Sequence, residues 1–348
     1  MNITVPTLLR IKSGALQKLG KYISGEGFSN IALFYGEGLS TALGPTVEPS
    51  LRSFNITVMH EGVGASNDIE TIFQESLKLP QKLHAVVAIG GGRVIDCCKY
   101  LALLRQIPLI SVPTLVSNDG FASPFSSLVI KGARRTVRTV IPHAVILDLD
   151  IARDAPEAAY YSGIGDLFCK YTAVFDWKLA YNRRGEPVND FAAGICRNAA
   201  DAFFYHPHKD PHDVEFLRVI ATSLLMSGVA MEIAQSSRPA SGSEHLISHA
   251  YDQIAERSRL HGLQVGVASY AISYLQQSTF ELAKRSILES GFLSFVEKDP
   301  LSRRDFIEAV KLAPSIKENF YTVLSESGAI DLLLAWAERD ELMARLLA

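Results

Sequence analysis

Three kinds of residue in this chain have the types and spacing to do chemistry. The first are lone-pair donors. Asp166 lies in Gly163-Ile164-Gly165-Asp166, where it reads as the start of a helix. His245 and His249 stand one helical turn apart in Ser243-Glu244-His245-Leu246-Ile247-Ser248-His249, and His261 precedes Gly262 at the start of a later helix. A carboxylate and two imidazoles suit a divalent cation, and a three-ligand site leaves a position open for substrate. The pattern is not HExxH, which excludes the metalloprotease helix. A rival cluster, Tyr205-His206-Pro207-His208-Lys209-Asp210-Pro211-His212, is denser in histidine, but its prolines and charges read as an exposed loop. Asp166 also has a plain reading as a helix N-cap, and single helical histidines are commonly packed or solvated side chains. Spacing alone does not rank the two clusters.

Glycines make the second kind. Ala85–Ile89 runs into Gly90-Gly91-Gly92, and Arg93-Val94-Ile95-Asp96 opens a helix. Strand, glycines and helix start let backbone N–H groups approach a phosphate at the positive end of the helix dipole. GxGxxG itself is not met. A tight turn, with Asp96 as an ordinary first-turn carboxylate, accounts for the same residues. The third kind is a polar loop, Ser111 to Pro124, immediately after an apolar strand. Hydroxyls, an acid and a glycine at the carboxyl end of a parallel strand stand where open α/β sheets bind ligands. The same residues are turn formers. Glu37, after Ile31–Tyr35 and Gly36, is placed to bond a ribose 2′-hydroxyl and repel a 2′-phosphate, or is a surface acid.

The elements that must position these residues follow from periodicity. Ile31–Tyr35, Ile56–Met59, Ala85–Ile89, Leu109–Val112 and Ala144–Leu149 read as strands, with helical spacing over Asp68–Leu79 and Val94–Leu104. The alternation predicts a parallel sheet with crossover helices. Ser127–Ile130 and Thr136–Val140, joined by a basic turn, read as an inserted hairpin. Beyond Asp154 the strand signals vanish, and Gly165–Ala180, Pro187–Phe204, Asp213–Gln235, Ser243–Glu256, Gly262–Lys284 and Ala329–Leu347 read as helices. The expected architecture is an α/β Rossmann-like dinucleotide-binding domain at 1–154 and an all-α domain at 155–348. A cleft between two such domains is a favoured ligand site.

Composition agrees. A chain of 348 residues is long for one core, which predicts two domains. The apolar fraction of 48% and charged fraction of 20% are ordinary for a globular protein. A net charge of −3 gives no reason to expect nucleic acid as a partner. No membrane span is expected: the apolar patch Leu224–Ala234 is short and interrupted by Ser227, Gly228 and Glu232. Met1 to Gly20 has no h-region, so no secretory signal is expected. Cys97, Cys98, Cys169 and Cys196 form neither a CxxC pair nor a disulfide framework. They read as reduced, mostly buried thiols of a cytoplasmic protein, with a redox-active Cys97–Cys98 pair as the lesser reading.

The loop Ser-Val-Pro-Thr…Ser-Asn-Asp-Gly-Phe-Ala-Ser-Pro (111–124) resembles the signature of the sn-glycerol-1-phosphate dehydrogenases. These belong with iron-type alcohol dehydrogenases, glycerol dehydrogenases and dehydroquinate synthases. Gly163–Trp177, Ser243–Asp252 and Leu260–Gly266 match three further family segments in order. The resemblance implies a dehydroquinate synthase-like fold. It makes Asp166, His245 and His261 the ligands of one divalent metal, usually Zn²⁺, with Fe²⁺ or Ni²⁺ as other candidates. Gly91, Gly92, Arg93, Val94, Ile95 and Asp96 would line the pyrophosphate of NAD or NADP. Thr114, Leu115, Val116, Ser117 and Ser123 would contact the dinucleotide, and Asp119, Asp166 and His249 would face the substrate. The implied reaction reduces dihydroxyacetone phosphate to sn-glycerol 1-phosphate with NADH or NADPH, for phospholipid biosynthesis, in a homo-oligomer.

On that implied chemistry, Asp119 and His249 are the candidates for delivering a proton. Lys170, one turn beyond Asp166, either meets the substrate phosphate or is a surface lysine. Two positions depart from the family: Asn118 stands where His is common, and Leu263 where Glu is commoner. Both bear on the substrate. The alternatives are a glycerol or other polyol dehydrogenase and, in another class, a dehydroquinate synthase-like cyclase (a lyase). That cyclase group uses Glu as its first metal ligand, so Asp166 argues against it. The intact ligand set argues against a non-catalytic binding protein.

Overall fold

The computed structural model describes residues 4–207 and 209–348, so His208 of the rival cluster lies outside the described residues. In chain order the strands are β1 (Leu8–Lys12), β2 (Asn30–Tyr35), β3 (Thr57–Val63), β4 (Ala85–Gly90), β5 (Leu109–Pro113), β6 (Phe125–Ile130), β7 (Ala133–Arg138) and β8 (Ala144–Asp148). The helices of the α/β part are α1 (Leu19–Gly25), α2 (Leu39–Ser53), α3 (Ile69–Lys78), α4 (Gly92–Arg105) and α5 (Leu149–Arg153). There follow α6 (Glu157–Arg184), α7 (Asp190–Phe204), α8 (Val214–Ala234), α9 (Ser243–Ile254), α10 (His261–Gln276), α11 (Phe280–Glu289), α12 (Phe292–Val296), α13 (Arg303–Leu312), α14 (Ala329–Ala337) and α15 (Glu341–Leu346).

A six-stranded sheet runs in the order β1-β8-β5-β4-β2-β3, and every pairing is parallel. β4, β5 and β8 are buried along their whole length, as strands covered on both faces must be. The chain goes from β2 outward to β3 on one side, then returns to β4 and continues through β5 to β8 on the other. The turns after β2 and β4 therefore flank a topological switch point, the place where such sheets bind ligands. β6 and β7 form the expected hairpin, closed by Lys131 and Gly132 at φ 51 and 77. Two successive positive φ values mark the two-residue turn that matches the strand twist.

Neither β1 and α2 nor the helices α1, α5, α12 and α13 are among the elements expected from the sequence. β1 reads Leu-Leu-Arg-Ile-Lys, is mostly half-buried, and pairs only with β8 at the sheet edge. α2 carries Pro45 and Pro49 inside it, which argue locally against a helix. Two expected helices also split. Gly262–Lys284 is not one helix: Gln277, at φ 55, separates α10 from α11. Ala329–Leu347 likewise breaks where Asp340 caps α15.

The chain divides into two compact units, Met1–Ala155 with Pro211–Glu232, and Pro156–Asp210 with Ile233–Ala348. The simple division at 154/155 is thus corrected, since most of α8 belongs to the sheet unit. The reason is a close approach: a Cβ on Gly228 would lie 2.6 Å from the Ala122 carbonyl carbon. Glu232 also receives an ion pair from Arg138 of β7 at 2.8 Å. By length and composition α8 is apolar enough to cross a membrane, contrary to the reading of Leu224–Ala234 alone. Most of it is buried inside the protein, as in a core helix.

Candidate functional site

Asp166 is not an N-cap. α6 starts at Glu157, so Asp166 lies well inside a long helix, nearly fully buried. The glycines that suggested a helix start serve packing instead. A Cβ on Gly165 would collide with the Gly262 carbonyl, and one on Gly262 with the carbonyl of Ser162. The Gly262 amide donates to Ser162 Oγ at 3.1 Å. This contact between α6 and the first turn of α10 places His261 beside Asp166.

α9 supplies the third member. Donor atoms of Asp166, His245 and His261 all lie within 4.8 Å of one another, and His245 Nε2 is 3.9 Å from Asp166 Oδ1. His245 Nδ1 is 2.9 Å from Glu244 Oε1. A carboxylate there accepts, so Nδ1 carries the proton and Nε2 keeps its lone pair for a ligand. Glu244 is fixed in turn by the Gly242 amide at 2.5 Å and Thr172 Oγ1 at 2.9 Å. His261 is oriented in the same manner. Ser248 Oγ donates to Gln264 Oε1 at 2.7 Å, leaving its lone pairs for His261 Nδ1 at 3.3 Å. Gln264 Nε2 donates to Asp252 Oδ1 at 3.0 Å. Both imidazoles therefore present Nε2 to the carboxylate, and the donor set fits a divalent cation.

A second grouping, Cys169 with Glu244 and His245, satisfies the same spacing. It would have to break the bonds that Glu244 makes to His245, Gly242 and Thr172, so Asp166, His245 and His261 are preferred. Below α9, Asp176 takes the Ser243 amide at 2.7 Å and the Val323 amide at 3.0 Å, which anchors the helix start. Burial, and secondarily the charge of Glu244, push the Asp176 carboxyl up to about 7.

Lys170 is not a surface lysine. It is fully buried and donates to Asp166 Oδ1 at 3.0 Å, which sets it on a triad member rather than out toward a phosphate. His249 joins the cluster, its ring centroid 6.0 Å from that of His261 and 6.4 Å from that of His245. Among the described residues no metal grouping includes His206 or His212. The four cysteines are free and buried, and burial raises the Cys98 thiol well above its ordinary value, against a reactive Cys97–Cys98 pair.

In the sheet unit, Gly91 caps α4 with no side-chain partner at the helix start. Gly90, at φ 149, is required by the backbone. At Gly92 the nearest atom to an added Cβ is 4.0 Å away, so the missing side chain leaves open space above the helix N-terminus rather than filling a packing need. That geometry fits a pyrophosphate on backbone N–H groups. Arg93 and Glu37 are exposed there. The side chains of Val94 and Ile95 are buried and belong to the core, leaving only their backbone for a ligand.

Asp96 is engaged within the protein. Its Oδ2 accepts the Ser127 amide at 3.1 Å, and Oδ1 lies 3.4 Å from the buried ammonium of Lys99. Lys99 also bonds the carbonyls of Gly120 and of Phe125, the latter at 2.6 Å, and lies 3.4 Å from Ser123 Oγ. Burial lowers the Lys99 pKa, and Asp96 and Asp119 oppose that shift. Ser123 is buried and occupied within its own turn, bonding Phe125 and Lys99, so its expected dinucleotide contact is not supported. Thr114, Val116 and Ser117 are buried, and Leu115 is half-buried against Gly91. Asn118 Oδ1 accepts the Gly120 amide at 2.8 Å, which caps the short turn carrying Asp119. Asp119 Oδ2 accepts from Ser227 Oγ of α8 at 2.7 Å. Sequence reading missed Lys99, Ser227, Glu244, Ser248 and Gln264. Only Glu244 and Ser248, each next to a candidate histidine, gave any signal.

The parallel sheet thus carries a phosphate-ready turn, and the helical unit carries an Asp-His-His grouping able to hold a divalent cation. Residues 10–156 match the family model described as iron-containing alcohol dehydrogenase. The chain is 36% identical over 348 residues to the glycerol-1-phosphate dehydrogenase (NAD(P)+) of Hyperthermus butylicus, covering 99% of this chain and 97% of that protein. It is 35% identical to the Staphylothermus marinus enzyme of the same name, covering 94% and 93%. A probable glycerol dehydrogenase from Sinorhizobium meliloti 1021 superposes with a TM-score of 0.77 at 18% identity, covering 98% of this chain and 99% of that one. Sulfoacetaldehyde reductase from Bifidobacterium kashiwanohense, solved with NAD+, superposes at 0.75 with 14% identity over 97% and 99%; these two likenesses show the fold. The chain belongs to the NAD(P)-dependent glycerol-1-phosphate dehydrogenase family.

Proposed function

We propose that the protein interconverts dihydroxyacetone phosphate and sn-glycerol 1-phosphate with NADH or NADPH. The single observation that carries this reading is the Asp166–His245–His261 triad with both imidazoles oriented by second partners. Relatives at 32–36% identity with the same printed name support the substrate. A divalent ion held by the triad would supply Lewis acidity to stabilise alkoxide charge, with Zn²⁺ favoured by the N/O donor set and Fe²⁺ or Ni²⁺ as alternatives. NAD(P)H, held through the Gly91–Gly92 backbone, would supply the hydride. The chain's own residues do the rest. Glu244 and Ser248 keep Nε2 of the two histidines unprotonated. His249, half-buried beside them, holds a proton for the product hydroxyl. Ser227 fixes the carboxylate of Asp119 for the substrate. Lys170 offsets the buried charge of Asp166.

Exposed Glu37 in the turn after β2 favours NAD over NADP. Val58, Met59 and Val63 are exposed on the edge strand β3, which supports self-association, to be measured by light scattering. Four free buried thiols suit a reducing compartment such as the cytoplasm. The test is NADH and NADPH oxidation with dihydroxyacetone phosphate, dihydroxyacetone and longer keto-polyols. Preference for dihydroxyacetone phosphate, lost with the metal in His245→Ala, is expected. Full activity of metal-free His245→Ala protein would sink the site assignment.

A further inference from the structure

Lys317 lies on the segment between α13 and α14, in the unit that holds the triad. It is partly buried, yet it makes no hydrogen bond and no ion pair with any described residue. Its ammonium stands 4.6 Å from the centroid of the Phe320 ring. The Arg238 guanidinium stands 3.5 Å from the same centroid. Arg238 is already satisfied: it donates to both oxygens of Glu186, one at 2.7 Å, and to the Tyr321 carbonyl at 2.8 Å. Lys317 has no such carboxylate.

Two cations share one aromatic ring, then, and only one has its anion. Burial, with repulsion from Arg238, holds the Lys317 pKa down to about 8, while the charge of Glu244 acts the other way. Glu244 orients His245 at 2.9 Å, and the segment that follows Lys317 and Phe320 is tied to the start of the same helix, because Asp176 accepts the amides of both Ser243 and Val323. A partly buried cation with no carboxylate of its own gains from a bound anion. The ketone proposed above carries its charged group one carbon from the reacting carbonyl, which confines its phosphate to the surroundings of the triad. Lys170, the lysine expected there, is bonded to Asp166.

We propose that Lys317, with the field of Arg238 behind it, binds the phosphate of the substrate and sets the preference for a phosphorylated ketone. The assignment rests on the function proposed above and gives it a residue. Lysine suits a phosphate monoester as a point charge, and the face of Phe320 supplies a low-dielectric wall that strengthens the pairing.

The test uses the metal-loaded enzyme, the Lys317→Met variant and the Lys317→Arg variant. The ratio of kcat/KM for dihydroxyacetone phosphate over dihydroxyacetone is measured for each, and binding of inorganic phosphate is followed by calorimetry. In Lys317→Met the ratio should fall about 10- to 100-fold, the range of a lost charge-assisted hydrogen bond, and phosphate binding should vanish. Lys317→Arg should keep most of both. A Lys317→Met protein with the wild-type ratio and wild-type phosphate binding overturns the assignment. A wild-type enzyme indifferent to the phosphate overturns the function proposed above instead, and the calorimetric comparison then still decides whether Lys317 holds an anion.

Discussion

At the scale of single residues, the site depends as much on the groups behind the ligands as on the ligands. Glu244 touches no candidate substrate atom, yet it determines which nitrogen of His245 is free. Replacing it should weaken metal affinity in order: Glu244→Gln, which keeps an acceptor, by less than Glu244→Ala, which should lose about 10- to 100-fold. Metal titration with a competing chelator measures this, and equal affinities for all three proteins would contradict it. Lys317 makes a prediction of opposite sign for stability and function. Its folded-state pKa of about 8 lies below the ordinary 10.5, so the unfolded chain binds more protons between those values. Wild-type stability therefore rises with pH across that window. Lys317→Met lacks this dependence and should be more stable near neutral pH by roughly 1–3 kcal/mol. The gap should close as pH rises toward the upper value, read from urea midpoints at several pH values.

Elements decide where these residues stand. The glycine turn after β4 separates packing glycine from ligand glycine. Gly92→Ala has room for its Cβ, since the nearest atom is 4.0 Å away, so the thermal midpoint should barely change. The KM for NADH should rise about 10-fold or more, because the methyl occupies the space above the helix N-terminus. A large loss of stability with an unchanged KM would show that the turn serves folding alone. The loop after β5 is held by a buried lysine that reaches it from α4. Lys99→Met strands Asp96 without its cation and frees the carbonyls of Gly120 and Phe125, so it should cost about 3–5 kcal/mol. Partial rescue by Asp96→Asn in the same chain, seen in denaturation midpoints, would show that the pair acts as a unit.

For the whole molecule, a metal that binds only the folded triad stabilises by mass action. Chelation should lower the melting temperature, and excess Zn²⁺ should restore it, about 4 kcal/mol at a thousandfold excess over Kd. The same addition should leave Asp166→Ala unchanged. The residues alone determined much of this protein. Buried β-branched runs announced the parallel strands, because a strand covered on both faces has few alternatives to apolar side chains. Four ordered motifs named the triad and the family. The sequence did not show how those motifs are held. β1 and α2 stayed hidden because an edge strand needs little apolar pattern, and because tertiary contacts override two prolines. Gly165 and Gly262 read as breakers in one dimension and became the contact that joins α6 to α10. Asp96 read either as a phosphate contact or as a first-turn carboxylate, and the structure pairs it with Lys99; Lys170 read either as a phosphate ligand or as a surface lysine, and the structure buries it against Asp166. Asp96 with Lys99 and Lys170 with Asp166 are local pairs that only burial distinguishes from surface ones, whereas the others depend on a partner distant in sequence: Gly165 on Gly262, Asp119 on Ser227, Lys317 on Arg238 and Glu244. Local spacing carries no record of such pairs, since only the folded chain places them within hydrogen-bond or Coulomb range. Sequence therefore fixed which groups were available for chemistry, and the tertiary structure decided which were already spent on one another and which remain for a ligand.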